Sequence, residues 1–292
     1  MAEILQKDGT WVFDGDALRL TPGRDKNVGL LRKTLGELVV PLGALAGISF
    51  EQGKKTGRLR LRLRDGSDPL LHATGGRLTE PHDPYQLIVE SDRYGVAEYF
   101  VDEVRGALLL DQVPADPVDS YLLPGPAVPL SVSAGDGTAS FDGERIRLEW
   151  NWKTEDAKAA AGTRTLALTD ITAVEWYPSV GLENGCLRFT VRNAPTKAPP
   201  KYDPNSVELW GFKKDPLMAL VAAAVQARLP HPAAPAPEDV RPPEPKSLAA
   251  STAEDDHDAL LRRLRELGEL HRTGVLTDEE FAMAKQAVLK RM

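Results

Sequence analysis

Asp8-Gly-Thr-Trp-Val-Phe-Asp-Gly-Asp-Ala-Leu-Arg-Leu20 returns later in the chain as Asp136-Gly-Thr-Ala-Ser-Phe-Asp-Gly-Glu-Arg-Ile-Arg-Leu148. Eight of the thirteen aligned positions are identical, and Leu18 is exchanged only for Ile146. Agreement of this kind at a fixed offset marks an internal duplication. Each copy holds an apolar residue, an Asp-Gly turn and an alternating run, the pattern of a β-hairpin. The chain is therefore expected to contain two copies of one folding unit.

Outward from the first copy, Leu38 to Val40 and Ile48 to Phe50 read as short strands separated by Pro41 and Gly43. Arg58-Leu-Arg-Leu-Arg-Leu-Arg64 follows with a strict period of two, which sets Leu59, Leu61 and Leu63 on one face and four arginines on the other. Residues 23–33 read as a charged loop, and residues 67–84 as irregular chain with one short strand at Leu70-Leu71. Tyr85 to Glu90 is the last strand. The period then changes, and Val96, Phe100, Val104, Ala107 and Leu108 trace the stripe of an amphipathic helix. About seven strands and one closing helix make up the unit.

The second copy repeats this order. Leu166 to Leu168 and Ile171 to Trp176 match the first two strands after the hairpin. Cys186 to Arg192 aligns with the Arg/Leu strand, so that Leu187, Phe189 and Val191 replace its leucines and Cys186 falls on the arginine side, partly exposed. Tyr202-Asp-Pro corresponds to His82-Asp-Pro. Asp215-Pro216 is read as the N-cap and first residue of a closing helix striped by Leu217, Val221, Val225 and Leu229.

Seven strands and a terminal helix, opened by GTxxFDGxx[LI]RL, resemble a bacterial PH-like domain of unknown function in tandem. The resemblance implies an α+β fold of two seven-stranded bent sheets, each capped by its C-terminal helix. It covers nearly all of residues 9–229, with the repeats placed at 1–110 and 132–229, and implies no particular ligand, because fold alone does not assign activity. Residues 111–131, with five prolines, read as a spacer in which Tyr121-Leu-Leu123 could dock on a sheet. Residues 230–255 are rich in proline and alanine and read as a disordered linker.

Residues 256–292 read as a helical hairpin. Leu260, Leu264, Leu267 and His271 stripe its first helix, with Leu261 and Leu270 beside them. Gly274 ends that helix, Thr277-Asp-Glu-Glu280 caps the second, and Phe281 and Val288 stripe it. The run Leu270 to Phe281 resembles the SHOCT motif, a short C-terminal domain of many bacterial proteins, which implies oligomerisation or attachment. A hairpin this small hides too little apolar surface to stand alone. Its expected partner is another copy of itself or a second protein.

The formal net charge of -7 argues against bulk attraction to nucleic acid or anionic membranes. One cysteine excludes an intrachain disulfide. The N-terminus lacks a signal-peptide core and no run is long enough to span a membrane, so a cytoplasmic protein is expected. No metal spacing, phosphate loop or nucleophile elbow occurs, and neither an enzyme nor a cofactor is expected. The leading function is a non-enzymatic interaction scaffold. The alternative is an anion-dependent binder of lipid headgroups, membrane surface or nucleic acid, using Lys54, Lys55, Arg58, Arg60, Arg62 and Arg64. Asp14-Gly15 and Asp142-Gly143 are assigned to turns.

Overall fold

The computed structural model describes residues 1–193, 196 and 198–234. Among them, fourteen strands form four antiparallel sheets. In the first repeat β1 (Ala2–Leu5), β2 (Gly9–Phe13), β3 (Ala17–Pro22) and β4 (Leu38–Pro41) form one sheet in sequence order. A second sheet holds β5 (Leu45–Glu51), β6 (Thr56–Leu63) and β7 (Gln86–Glu90). Helix α1 (Leu30–Leu35) joins β3 to β4, α2 (Pro69–Thr74) joins β6 to β7, and α3 (Tyr94–Leu110) closes the repeat.

The second repeat has the same sheet plan, with no helix among the described residues between its last two strands. Its sheets are β8 (Leu130–Ala134), β9 (Gly137–Phe141), β10 (Arg145–Trp150) and β11 (Arg164–Ala167), then β12 (Ile171–Tyr177), β13 (Gly185–Val191) and β14 (Ser206–Leu209). Helix α4 (Asp156–Ala160) takes the place of α1, and α5 (Met218–Gln226) closes the repeat. Register agrees as well. Phe13 faces Leu18 as Phe141 faces Ile146, and both second sheets begin with an irregularity, at Leu45/Gly47 and at Ile171/Ala173.

The duplicated motif is explained by this architecture. The Asp14 carboxylate accepts from the N–H groups of Asp16 and Ala17, and Asp142 does the same for Glu144 and Arg145. Gly15 and Gly143 turn the hairpins at φ +115° and +114°, where only glycine is unstrained. A Cβ on Gly9 or Gly137 would sit 2.7 Å from the carbonyl oxygen of Thr21 or Glu149. Phe13, Phe141, Leu18, Ile146, Leu20 and Leu148 are buried. Asp8 accepts from the Ile88 N–H and Asp136 from the Glu208 N–H, so the opening hairpin is tied to the last strand in each copy.

Several sequence expectations are corrected. Leu70 and Leu71 lie in α2, not in a strand; the seventh strand is β1. Asp68 caps α2 by accepting from the N–H groups of Leu70 and Leu71, Pro69 opens it and Gly75 ends it in the left-handed region. Two apolar neighbours resemble a strand when the caps around them are overlooked. The loop at residues 23–33 gives way to α1 from Leu30 onward. Asp215 does not cap its helix: one oxygen turns back to accept from the N–H groups of Trp210, Gly211 and Phe212. The first strand of the second repeat begins at Leu130.

The two closing helices differ in a way that joins the repeats. Helix α3 buries Ala97, Phe100, Val101 and Val104 and leaves Glu98, Asp102 and Glu103 in solvent. Every residue of α5 is buried, including Ala222, Ala223 and Ala224, as expected of a helix that is apolar all round. Its second side is covered by α2 of the first repeat, which also reaches β12. Leu31, Leu70, Ala73 and Leu78 therefore share one core with the second repeat. The spacer joins this packing. Leu123 is buried, and the N–H groups of Leu122 and Leu123 donate to the Ser67 carbonyl. His231 lies against the first repeat, with its ring nitrogen 3.0 Å from the Gly66 carbonyl oxygen, while Pro230 and residues 232–234 are exposed. The described residues form one compact unit. The tail, with Leu260, Leu264, Leu267, Leu270, Phe281 and Val288, lies outside the described residues.

Candidate functional site

Strand β6 alternates as expected, with Leu59, Leu61 and Leu63 buried. Its arginines are less free than a solvated face would make them. Arg58 is 2.5 Å from the Glu80 carboxylate. Arg64 donates to the carbonyls of Asp116 and Gly43. Arg60 is half-buried near Asp83, whose carboxyl is pushed up by burial and drawn back by its own hydrogen bonds and by Arg32 and Arg60. Arg62 is exposed, and one nitrogen donates to the Ala46 carbonyl. Lys54 and Lys55 are exposed just before β6. Of the six candidates, Lys54, Lys55 and Arg62 are exposed, Arg58 and Arg64 are paired within the protein, and Arg60 is half-buried with its Nε unpartnered. In β13 the same pattern holds for Arg188, which lies 3.2 Å from Asp203 and donates to the Ala198 carbonyl. Cys186, expected to be partly exposed, is buried, and burial pushes its thiol up.

A groove of about 420 Å³ runs along the seam between the repeats. Its walls include Leu78, Pro81 and His82 from the first repeat and Trp176, Phe212 and Asp215 from the second. The Trp176 indole N–H and one Asp215 oxygen are buried here without a protein partner. On another side of the seam the His231 ring packs edge to face with both His72 and Tyr121. The Tyr121 hydroxyl lies 2.8 Å from His72 Nδ1 and accepts from Gln226, linking spacer, α2 and α5. Burial and the neighbouring His231 both hold His72 below the usual imidazole value.

The loops at one end of the second repeat carry aromatics that sequence reasoning passed over. Trp152 is 89% exposed, Phe212 56% and Tyr202 44%. The Lys153 ammonium lies 5.4 Å from the Trp152 ring centroid and 5.3 Å from those of Trp210 and Phe212, so two separate loops meet around it. Lys201 lies 4.5 Å from the Tyr202 ring. The signal was present in the sequence as Trp152-Lys153, Lys201-Tyr202 and Phe212-Lys213-Lys214, three aromatic–lysine runs. No helix among the described residues is long and apolar enough to cross a membrane.

Fold and motif define a tandem α+β protein built from two copies of one domain. A family model described as a domain of unknown function (DUF4429) matches residues 11–105 and again residues 139–226. The chain belongs to this family. Comparison with curated proteins found no match.

Proposed function

We propose that the chain is a non-enzymatic interaction scaffold, a rigid pair of PH-like modules carried on a self-associating SHOCT-like tail. The supporting observation is the shared core. Burial of α5 beneath α2 sets the two modules at one spacing, which suits presentation of two surfaces to a partner. The charged groups common to both copies act within the fold: Asp8 with Arg32, Asp136 with Lys158, and Asp14 and Asp142 in turns. Four strands, three strands and a closing helix in each copy agree with a PH-like arrangement. Self-association through the tail would raise weak affinities by effective concentration. The test is light scattering of the full chain beside a chain ended after Ala234. Dimers or larger species for the first and monomers for the second are expected. A monomeric full chain at high concentration defeats the self-association reading. In the anion-binding alternative, Lys54, Lys55 and Arg62 remain as the solvent-facing cations of the strand.

A further inference from the structure

Because the chain is a duplication, each copy is a control for the other. Hairpins, clamp and strand register agree, yet one end of the repeats diverges. In the second copy it carries Trp152, Lys153, Lys201, Tyr202, Phe212 and the pair Lys213-Lys214. The first copy has Gly23-Arg-Asp25, Pro81-His82 and Glu90-Ser-Asp-Arg93 in the corresponding loops, with no tryptophan or phenylalanine. A tryptophan that is 89% exposed at a loop tip contributes little to any core, while Phe212, 56% exposed, also lines the seam groove opposite Pro81 and His82.

Composition indicates what this end meets. Centres of protein–protein interfaces are enriched in aromatics and arginine but depleted in lysine. Tryptophan, tyrosine and lysine together are the residues of a membrane–water boundary, where rings sit at headgroup level and ammonium groups meet anionic lipid. The aromatics here project from separate loops and are interleaved with lysines. Glu155, Asp156 and Glu208 stand at the same end, and Glu155 and Glu208 act on the Lys201 charge. With so little net positive charge, lysines alone would bind weakly, and ring insertion has to act with them.

We propose that this end of the second repeat is a peripheral membrane-attachment surface, in which Trp152 and Phe212 enter the headgroup layer of an anionic bilayer while Lys153, Lys201, Lys213 and Lys214 contact lipid phosphates. It stands apart from the scaffold reading and from the arginine strand. The test is co-sedimentation of the full chain with phosphatidylcholine vesicles, with and without phosphatidylserine, in low salt. Wild type is expected to bind the phosphatidylserine vesicles and to be displaced by added salt but not by an equal ionic strength of inorganic phosphate beyond that salt effect. Trp152→Ala/Phe212→Ala and Lys213→Glu/Lys214→Glu should each weaken binding by about tenfold or more. Both pairs are exposed, and an unchanged melting temperature would exclude misfolding. Lys54→Glu/Lys55→Glu/Arg62→Glu should bind like wild type. Absence of wild-type binding, equal binding by the aromatic pair variant, or loss confined to the arginine-strand variant would each overturn the proposal. A protein partner at this end would leave the vesicle pellet empty, which is the first of those outcomes.

Discussion

The Lys158 ammonium lies 2.5 Å from the Asp136 carboxylate with both side chains removed from solvent, and Arg32 makes the matching contact to Asp8 at 2.9 Å in the first repeat. In each copy a base from the helix between the third and fourth strands meets the first residue of the duplicated motif. Lys158 also donates to the Pro200 carbonyl and lies 4.4 Å from the Trp150 ring centroid. Burial pushes the Asp136 carboxyl up, and Lys158 offsets that only in part. A buried pair adds little over an apolar replacement, but loss of one member strands the other.

Lys158→Met should accordingly cost about 3 kcal/mol or more, the range for an orphaned buried charge. Adding Asp136→Asn to that variant should cost less than the sum of the single changes. Urea titration of the two single variants and the double variant gives the coupling. Additive costs would show that the two groups do not act as a pair.

Leu70→Ala tests the shared core. The residue belongs to the first repeat but is buried among residues of the second. Its truncation should cost about 2–5 kcal/mol. The loss should lower hydrogen-exchange protection of Met218 to Gln226 in α5. Protection lost only within the first repeat would mean that the modules are not energetically joined.

Acid should loosen the seam. Burial holds both His72 and His82 below the usual imidazole value, so the fold favours their neutral forms. A depressed folded value contributes stability that is complete above the unfolded value of about 6.5 and is lost as pH falls below it. Melting temperature should therefore drop between about pH 7 and pH 5.5, and His72→Gln/His82→Gln should flatten that part of the profile. An unchanged profile in the double variant would remove these two groups from the explanation.

The tail proposal predicts that Leu267→Asp in the full chain reproduces the effect of ending the chain after Ala234. A carboxylate in an apolar seam costs far more than the leucine contributes. Sedimentation velocity at micromolar and higher concentration distinguishes the outcomes, and an aspartate variant that still assembles would exclude Leu267 from the contact.

Much of each repeat was legible because its signals are local. The Asp-Gly turns, the leucine alternation of β6 and the stripe of α3 depend on residues only a few positions apart. Comparison of the copies added the strand order. The misreadings also have local causes. Leu70 and Leu71 sat between an unread Asp-Pro start and a glycine stop, and β1 is too short to advertise a period.

What the sequence by itself determined is the duplication, most of the strands and the closing helix of each copy, and the structural nature of the motif's turns. Tertiary structure alone decided that the copies share a core, that Arg58 and Arg64 of β6 are paired within the protein, and that three aromatic–lysine loops gather at one end. The physical reason is distance along the chain. Leu70 and α5, Arg58 and Glu80, and Trp152 and Phe212 are brought together by folding, and no periodicity in the sequence records which side chains will meet.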